Sequence, residues 1–165
     1  MNVYDEVELN RIKKTSETND KMEDFFNDKR KEWNDSVMPL FKVLSINLNN
    51  NDASKSILEA QSISLSFRQE INEQISVFLS KRSREDIKIK KIRQDKFIFY
   101  ATGFGIKTNL GEKTLLIDAH LAENERGIQL IENHIQFLRD TLKNLETFGF
   151  SIKNMIELLN YLNAK

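Results

Sequence analysis

The residue types with the clearest chemical potential are the cations between positions 81 and 96. This segment, KRSREDIKIKKIRQDK, holds eight of the chain's 25 lysines and arginines against three acids, although the formal net charge of the whole chain is zero. Phe97, Phe99 and Tyr100 follow it directly. Cations that contact phosphates, followed by rings that stack on bases, are typical of proteins that bind single-stranded nucleic acid. A solvated helix that ends in an apolar core has the same pattern, so the segment alone leaves both interpretations open.

Four of these cations share one face of a predicted helix. Lys81, Arg84, Lys88 and Lys91 follow one another at spacings of three, four and three residues, which places them on one side of an α-helix. Such a face meets either a negative partner or water, and its self-repulsion weakens an isolated helix slightly. The candidate contacts to single-stranded DNA are the basic residues of the segment and one ring: Lys81, Arg82, Arg84, Lys88, Lys90, Lys91, Arg93, Lys96 and Tyr100.

The three rings also have two interpretations. Rings near a helix end pack in a core more often than they stack on bases. Phe97 and Phe99 lie about 200° apart around a helix, so both cannot enter one core. At least one of them is therefore available to another subunit or to a base.

Residue patterns for catalysis or metal binding are missing from the sequence. The chain has no cysteine, which excludes disulfides and cysteine-based zinc sites. His120 and His134 lack the spacing of a metal motif, and Glu123 and Glu125 face different ways on a helix. The glycines of ATGFGIKTNLGE lack both the spacing and the preceding strand of a phosphate loop. We therefore expect no enzyme, no metal and no cofactor.

The composition predicts long helices in a cytoplasmic protein. A hydrophobic content of 39%, a charged content of 30%, five glycines and one proline point away from disorder and from a turn-rich β fold. A length of 165 residues suits one domain, with or without an ordered extension. No apolar run approaches the roughly 20 residues that span a bilayer. The N-terminal sequence MNVYDEVELNRIKK has acids where a signal peptide has its apolar stretch.

Apolar spacing predicts four helices. The first covers residues 18–46, where Pro39 is expected to kink or end it. The second runs without glycine or proline from Ala53 to Tyr100, and Asp52 is a candidate cap. A turn-rich connection then leads to the third helix. Gly149 is expected to separate the third helix from the fourth, because FGFSIKN resembles a helix end followed by a new N-cap at Ser151.

The C-terminal third contains a regular apolar repeat. In a series of alternating four- and three-residue steps from Ile117 to Leu159, eleven of thirteen positions are apolar; the exceptions are Asn124, a candidate for setting register, and Gly149. A sustained repeat of this kind predicts a coiled coil or a bundle seam. We therefore predict an all-α fold of long helices in a coiled-coil-like bundle that assembles into a homo-oligomer. The residues predicted to join the chains are Ile135, Leu138, Leu142, Leu145, Phe150, Ile152, Ile156 and Leu159.

The order of these motifs resembles the UvsY-type recombination mediators of T4-like phages. In that family a basic helix ends in an aromatic pair and a glycine, a variable loop follows, and a Gly-Phe-x-Ile-Lys turn leads into a short last helix. The likeness covers residues 56–165, although Phe148 stands where the family usually has arginine and the first fifty residues have no counterpart. The matching residues are Phe99-Tyr100-Ala101-Thr102-Gly103, Leu116-Ile117-Asp118, Leu121-Ala122-Glu123-Asn124 and Gly149-Phe150-Ser151-Ile152-Lys153-Asn154.

The resemblance implies a ring-like homo-oligomer, without enzymatic activity, in the cytoplasm of an infected host cell. It implies that the protein binds single-stranded DNA. It also implies that the protein helps a RecA-like recombinase to displace single-strand-binding protein from that DNA. The family's DNA contacts correspond to Arg93 and Lys96. We predict an organisation into an N-terminal helical extension (1–50), a basic helical region that binds single-stranded DNA (51–103), a loop (104–114) and a C-terminal oligomerisation region (115–165).

Two alternatives stay open. A structural coiled-coil protein, such as a virion or assembly component, explains the apolar repeat equally well but not the order of cations and rings. A peripheral membrane helix that uses Lys, Arg and Phe is weaker, because Asp86 and Asp95 interrupt the basic segment.

Overall fold

Helices account for nearly all of the structure, a computed structural model that describes residues 3–49, 52–102 and 109–164. Three α-helices follow one another: α1 covers Val3–Phe41, α2 covers Ala53–Thr102 and α3 covers Leu110–Asn163. A 3-10 helix, Lys42–Ser45, follows α1. These described ranges contain no strand. The predicted all-α class is therefore confirmed.

The first and last helices begin earlier than the apolar spacing predicted. Helix α1 begins at Val3 rather than near residue 18, because polar side chains dominate its first turns and leave little apolar periodicity. Helix α3 begins at Leu110, inside the stretch predicted as a loop. A reciprocal capping box explains this start: the Asn109 backbone N–H donates to Glu112 Oε2 at 3.1 Å, and the Glu112 N–H donates to Asn109 Oδ1 at 2.9 Å. The glycine turn predicted at residues 103–105 lies outside the described residues.

The predicted helix break at Gly149 is wrong, because α3 continues through it to Asn163. One glycine within a helix costs about 1 kcal/mol relative to alanine. Phe148 and Ile152, on either side of it, are both buried, and burying each side chain stabilises the fold by about 1.5–3 kcal/mol. Packing thus outweighs the local preference for a break.

The chain forms two compact units, and each of the three α-helices contributes to both. The first unit comprises Met1–Phe26 and Phe78–Asn133. The second unit comprises Asn27–Val77 and His134–Lys165. The predicted functional division at residues 50, 103 and 114 stays a prediction.

The core of the first unit draws on all three helices. Phe26 of α1 is buried, and its ring meets the edge of Phe78 of α2 at a centroid distance of 5.4 Å. Ile117, Leu121 and Ile131 of α3 are buried in the same unit. The segment interpreted as an N-terminal extension therefore supplies part of the core.

The core of the second unit is built around two pairs of rings. Trp33 meets Phe67 edge-on at 5.6 Å, and Phe41 meets Phe148 edge-on at 5.4 Å. The Trp33 indole N–H donates to Gln74 Oε1 at 3.3 Å, so the polar atom of this large ring has a partner. Further buried apolar side chains are Val37, Leu40, Ile57, Ile71, Ile75, Ile135, Leu138, Leu145 and Ile152.

The apolar repeat of α3 faces these cores. Eight of its thirteen positions are buried and five are half-buried; none is exposed. Of the residues predicted to join chains, Phe150 alone is exposed, and Leu142 and Ile156 are half-buried. The remaining five are buried within the second unit of their own chain: Ile135, Leu138, Leu145, Ile152 and Leu159. A side chain packed in its own unit is not available to another chain, so the repeat serves first as an intramolecular seam.

Candidate nucleic-acid interface

The nine predicted DNA contacts separate into exposed cations and side chains that are engaged within the first unit. All of them lie on α2, and all belong to the first unit. Lys81, Arg84, Lys88, Lys90 and Lys91 are exposed. The other four, which are buried or half-buried, are Arg82, Arg93, Lys96 and Tyr100.

Two of the arginines are held by carboxylates of α3. Arg93 reaches Asp118 Oδ1 at 2.6 Å and Glu125 Oε1 at 2.8 Å through its two terminal nitrogens. Arg82 lies 2.7 Å from Glu132 Oε1. A phosphate that contacts either guanidinium must compete with these carboxylates. Their contact with DNA stays a prediction, and it requires ion pairs within the first unit to open.

Lys96 lies in a buried polar cluster. It is 8% exposed, and its Nζ lies 3.2 Å from Glu8 Oε2. Arg11 donates to the other Glu8 oxygen at 2.6 Å. Burial alone raises the pKa of Glu8, but the hydrogen bonds and charges of Arg11 and Lys96 outweigh it, so the pKa lies below its ordinary value. Glu8 is therefore ionised and offsets the buried charge of Lys96.

Tyr100 and His120 extend this cluster. The Tyr100 hydroxyl and His120 Nε2 are 2.7 Å apart, and His120 Nδ1 lies 3.3 Å from Glu8 Oε1. Burial lowers the pKa of His120 and the charge of Lys96 lowers it further, against the opposing effect of Glu8. The imidazole is thus neutral at neutral pH and carries one N–H. Whether Nε2 donates to the Tyr100 hydroxyl or accepts from it depends on which ring nitrogen holds that proton. Tyr100 is half-buried, so its stacking on a base stays a prediction.

The other two rings occupy different surroundings, as their angular separation predicted. Phe97 is 46% exposed. Phe99 is half-buried and meets Tyr100 edge-on at 5.4 Å. Phe97 is therefore the ring of this group that a base or a partner can reach.

The exposed cations at 81, 84, 88 and 91 form what we call the α2 basic face. Their spacing places them on one side of α2. Lys88 pairs with Glu85 at 2.7 Å, but both side chains are accessible to water, and such pairs contribute only about 0–1 kcal/mol. A phosphate can replace the Glu85 carboxylate at little cost. Among the predicted DNA contacts, the α2 basic face is therefore accessible to a ligand, whereas Arg82, Arg93 and Lys96 are at least half-buried.

A groove of about 430 Å³ adjoins the basic face in the first unit. Helix α2 lines it with Lys81, Glu85 and Lys88. Helix α1 adds two cations, Arg11 and Lys14. The other lining residues are Thr15, Thr18, Asn19 and Met22 of α1, and Asn124, Gly127 and Ile131 of α3. We call this cavity the α1–α2 groove.

The sequence-based prediction missed the part of this groove that α1 contributes. The groove-lining side chains Arg11, Thr15, Thr18 and Met22, of which the first three are polar, recur at four- and three-residue spacings, which is the signature of one helix face. That signal was present in the sequence. Most of this face, including Arg11 and Thr15, lies before residue 18, where the first helix was predicted to begin.

The second histidine, His134, lies in the second unit, whereas the predicted DNA contacts lie in the first unit. His134 is 0% exposed, and its ring stacks on Phe137 at 6.1 Å. Burial, assisted by the charge of Arg30, lowers the pKa of His134 to about 4. Within the described ranges, no cluster of three or more histidine or carboxylate side chains is arranged to hold a metal ion.

None of the described helices is both long and apolar enough to cross a membrane.

Comparison of the chain with protein-family models, with curated proteins and with solved structures finds no match.

Proposed function

We propose that this protein binds single-stranded DNA through the α2 basic face. The observation that carries the proposal is the exposure of Lys81, Arg84, Lys88 and Lys91 along one side of a single helix. Phosphates recur along a strand, so a row of cations can follow several of them at once. Phe97, exposed near the end of the same helix, is available for stacking on a base.

We further propose that the bound strand is passed to a RecA-like recombinase. The support is the resemblance to UvsY-type recombination mediators, whose basic helix and aromatic pair correspond to the end of α2. In this role the chain acts as a homo-oligomer, and several copies of one weak contact bind a strand more tightly than a single copy does. Single-strand-binding protein is the competitor that the recombinase must displace.

Charge reversal on the basic face tests the DNA contact. The variant is Arg84→Glu with Lys91→Glu, and binding to a fluorescent oligo-dT is measured over a range of salt concentrations. We expect wild-type affinity to fall steeply with salt, and the logarithmic slope to decrease by about 0.7 for each phosphate contact removed. A matched control, Lys55→Glu with Lys143→Glu, makes the same change of charge at exposed positions of the second unit.

The control variant should bind as the wild type does. Equal loss of affinity in both double variants would mean that net charge alone governs binding. Salt-insensitive binding by the wild type, or none, would refute the proposed DNA contact.

A recombinase-loading assay tests the mediator role separately. The ATPase activity of a RecA-like recombinase is followed on a strand already covered by single-strand-binding protein. Adding the wild-type chain should shorten the lag before activity, and the basic-face variant should not. A lag that both proteins leave unchanged, with DNA binding intact, would restrict the function to strand binding.

A structural assembly protein is the second candidate, and the surface around Phe150 favours it. Phe150 is 72% exposed and Leu65 is 56% exposed. Both line a groove of about 470 Å³ in the second unit, together with Phe148 and Ile152. Exposed apolar side chains beside a groove are typical of a surface that another protein covers.

Native mass spectrometry tests self-association at this surface. Phe150→Ser should shift the chain toward lower mass, because it removes the exposed ring while leaving the buried seam intact. Ile87→Ser is the matched control, since Ile87 is exposed in the first unit. A wild-type chain that is monomeric at micromolar concentration would contradict self-association, and an equal shift in both variants would contradict the role of Phe150.

A further inference from the structure

We propose that the α1–α2 groove binds a phosphodiester of the same strand that contacts the α2 basic face. The N-terminal helix, for which the resemblance supplied no role, then forms one wall of the DNA path. This inference rests on the proposed function and extends it by naming a second contact surface. It concerns the sugar-phosphate backbone of single-stranded nucleic acid and no particular base sequence.

The charge of the groove suits a phosphate. Four cations and one carboxylate line it. Arg11 and Lys88 each have a carboxylate partner, Glu8 and Glu85 respectively. Lys14 and Lys81 form no ion pair within the described part of the first unit; the Lys81 ammonium lies 3.7 Å from the Met22 sulfur, a weak acceptor. Two ammonium groups, one from each helix, are therefore available to an anionic ligand.

Neutral polar groups complete the site. Asn124 lines the groove and is only half-buried, and its side-chain amide makes no hydrogen bond to another described residue. An amide with no protein partner can donate to a phosphate oxygen. Thr15 and Thr18 donate their hydroxyls to the carbonyl oxygens of Arg11 and Lys14, which fixes their side chains along the wall.

Close packing of α1 against α3 fixes the floor of the groove. Asn19 is buried and donates through Nδ2 to the Glu123 carbonyl oxygen at 2.6 Å. A methyl group at Gly127 would lie only 2.8 Å from Asn19 Oδ1, so the absence of a side chain there permits the approach. Helix α1, which forms one wall, is thus held against α3 before any ligand arrives, which reduces the ordering cost of binding.

The groove and the basic face share residues, which is why we assign both to one strand. Lys81 and Lys88 line the groove and also belong to the row that continues to Lys91. A strand whose phosphates follow the row therefore reaches the groove without leaving the protein surface. The volume of about 430 Å³ lies in the range of small-ligand pockets, so a nucleotide unit fits.

Two charge changes with matched controls test this assignment. Lys14→Glu reverses a charge on the groove wall, and Lys13→Glu makes the same change at the neighbouring exposed residue, which does not line the groove. Asn124→Asp adds a charge at the floor with little change of shape, and Asn133→Asp adds it at an exposed position of α3 in the same unit. Oligo-dT binding is measured at low salt, and circular dichroism verifies folding.

Lys14→Glu should weaken binding roughly tenfold and lower the salt slope by about 0.7, the value of one phosphate contact. Asn124→Asp should weaken it several-fold, whereas the two control variants should stay within twofold of the wild type. If Lys14→Glu and Asn124→Asp bind as their controls do, while the basic-face variant fails to bind, the groove assignment is overturned and the proposed function stands. A wild-type chain that does not bind oligo-dT overturns both.

The mononucleotide dTMP and inorganic phosphate distinguish a strand site from a small-molecule site. We expect both to compete with oligo-dT only at millimolar concentration, because each supplies one contact of many. Saturable binding of either at micromolar concentration, lost in Lys14→Glu, would assign the groove to a small phosphate ligand and overturn the strand path.

Discussion

At the scale of single residues, Glu8 organises the buried charges of the first unit. Its carboxylate contacts Arg11, Lys96 and His120. Lys96 is one of the two positions that the resemblance assigns to DNA, yet it is almost fully buried against Glu8. Sequence alone could not reveal this pairing, because Glu8 and Lys96 are distant in the chain and meet only in the folded unit.

Lys96→Met tests whether this lysine serves the fold. The substitution preserves side-chain length but removes the cation, and Glu8 then retains Arg11 and His120. We expect the free energy of unfolding to decrease by about 2 kcal/mol, the typical cost of weakening a largely buried charge pair. Lys91→Met, at an exposed position of the same helix, should change it by less than about 0.5 kcal/mol. Urea denaturation followed by circular dichroism measures both.

The double variant Glu8→Gln with Lys96→Met separates the pair from the individual side chains. It should be more stable than the sum of the two single effects predicts, by about 1 kcal/mol, because neither partner leaves the other uncompensated. The opposite pattern for Lys96→Met, unchanged stability with weakened oligo-dT binding, would assign this lysine to DNA instead.

At the scale of the helix, α3 shows that a glycine's surroundings decide its effect. Gly127 lies against Asn19, whereas a methyl group at Gly149 would meet nothing within 4 Å. Gly149→Ala should therefore stabilise the protein by up to about 1 kcal/mol, which is the difference in helix propensity. Gly127→Ala gains the same propensity but forces a buried, hydrogen-bonded amide to move, at a cost of about 1–3 kcal/mol for overpacking. We expect a net loss of about 1 kcal/mol there.

Thermal and urea unfolding of the two alanine variants, measured side by side, test this difference. Equal stabilisation by both would show that the Asn19 side chain yields without cost. In Gly127→Ala with Asn19→Ser, the shorter side chain should relieve the clash and recover part of the loss.

The same balance between local preference and burial decides which helices and helix ends could be predicted from the sequence. Ala53–Thr102 could be predicted as one helix because nothing in it interrupts the helical pattern. The α3 repeat correctly indicated an apolar seam, but periodicity does not say whether the facing side chains come from another chain or from α1 and α2. The start of α1 was missed since polar residues form its exposed turns, and the break at Gly149 was wrongly predicted because burial on both sides overrides one glycine.

Of the candidate site, the exposed row of cations could be predicted from spacing, whereas the state of its individual members could not. Arg93 and Lys96 have the same residue types as Arg84 and Lys91, and only tertiary contacts with carboxylates distinguish them. The α1 side of the groove has a periodic signal in the sequence, but its pairing with α2 could not be predicted, because Lys14 and Lys81 come from different helices.

At the scale of the whole molecule, the protein's buried ionisable groups make its stability dependent on pH. Burial and the charge of Arg30 lower the pKa of His134 from 6.5 to about 4. The neutral form is therefore favoured in the folded state. Its contribution to stability is complete above pH 6.5 and is lost as pH falls from there toward about 4, because the unfolded chain takes up the proton first. Glu8, with its lowered pKa, loses its contribution only as pH falls below its ordinary value of 4.5.

His134→Leu should make stability less sensitive to acid between pH 7 and pH 5. The linkage relation gives a loss of about 2 kcal/mol over that interval for a histidine with the shift of His134. The variant should lack this loss, whereas His120→Gln, which removes the other histidine with a lowered pKa, should retain the part that is due to His134. Urea denaturation at a series of pH values gives the slope of the unfolding free energy, which is independent of any constant offset caused by the substitution. If His134→Leu and the wild type lose stability in parallel, then His134 is protonated within the fold, and its burial does not govern the response of the protein to acid.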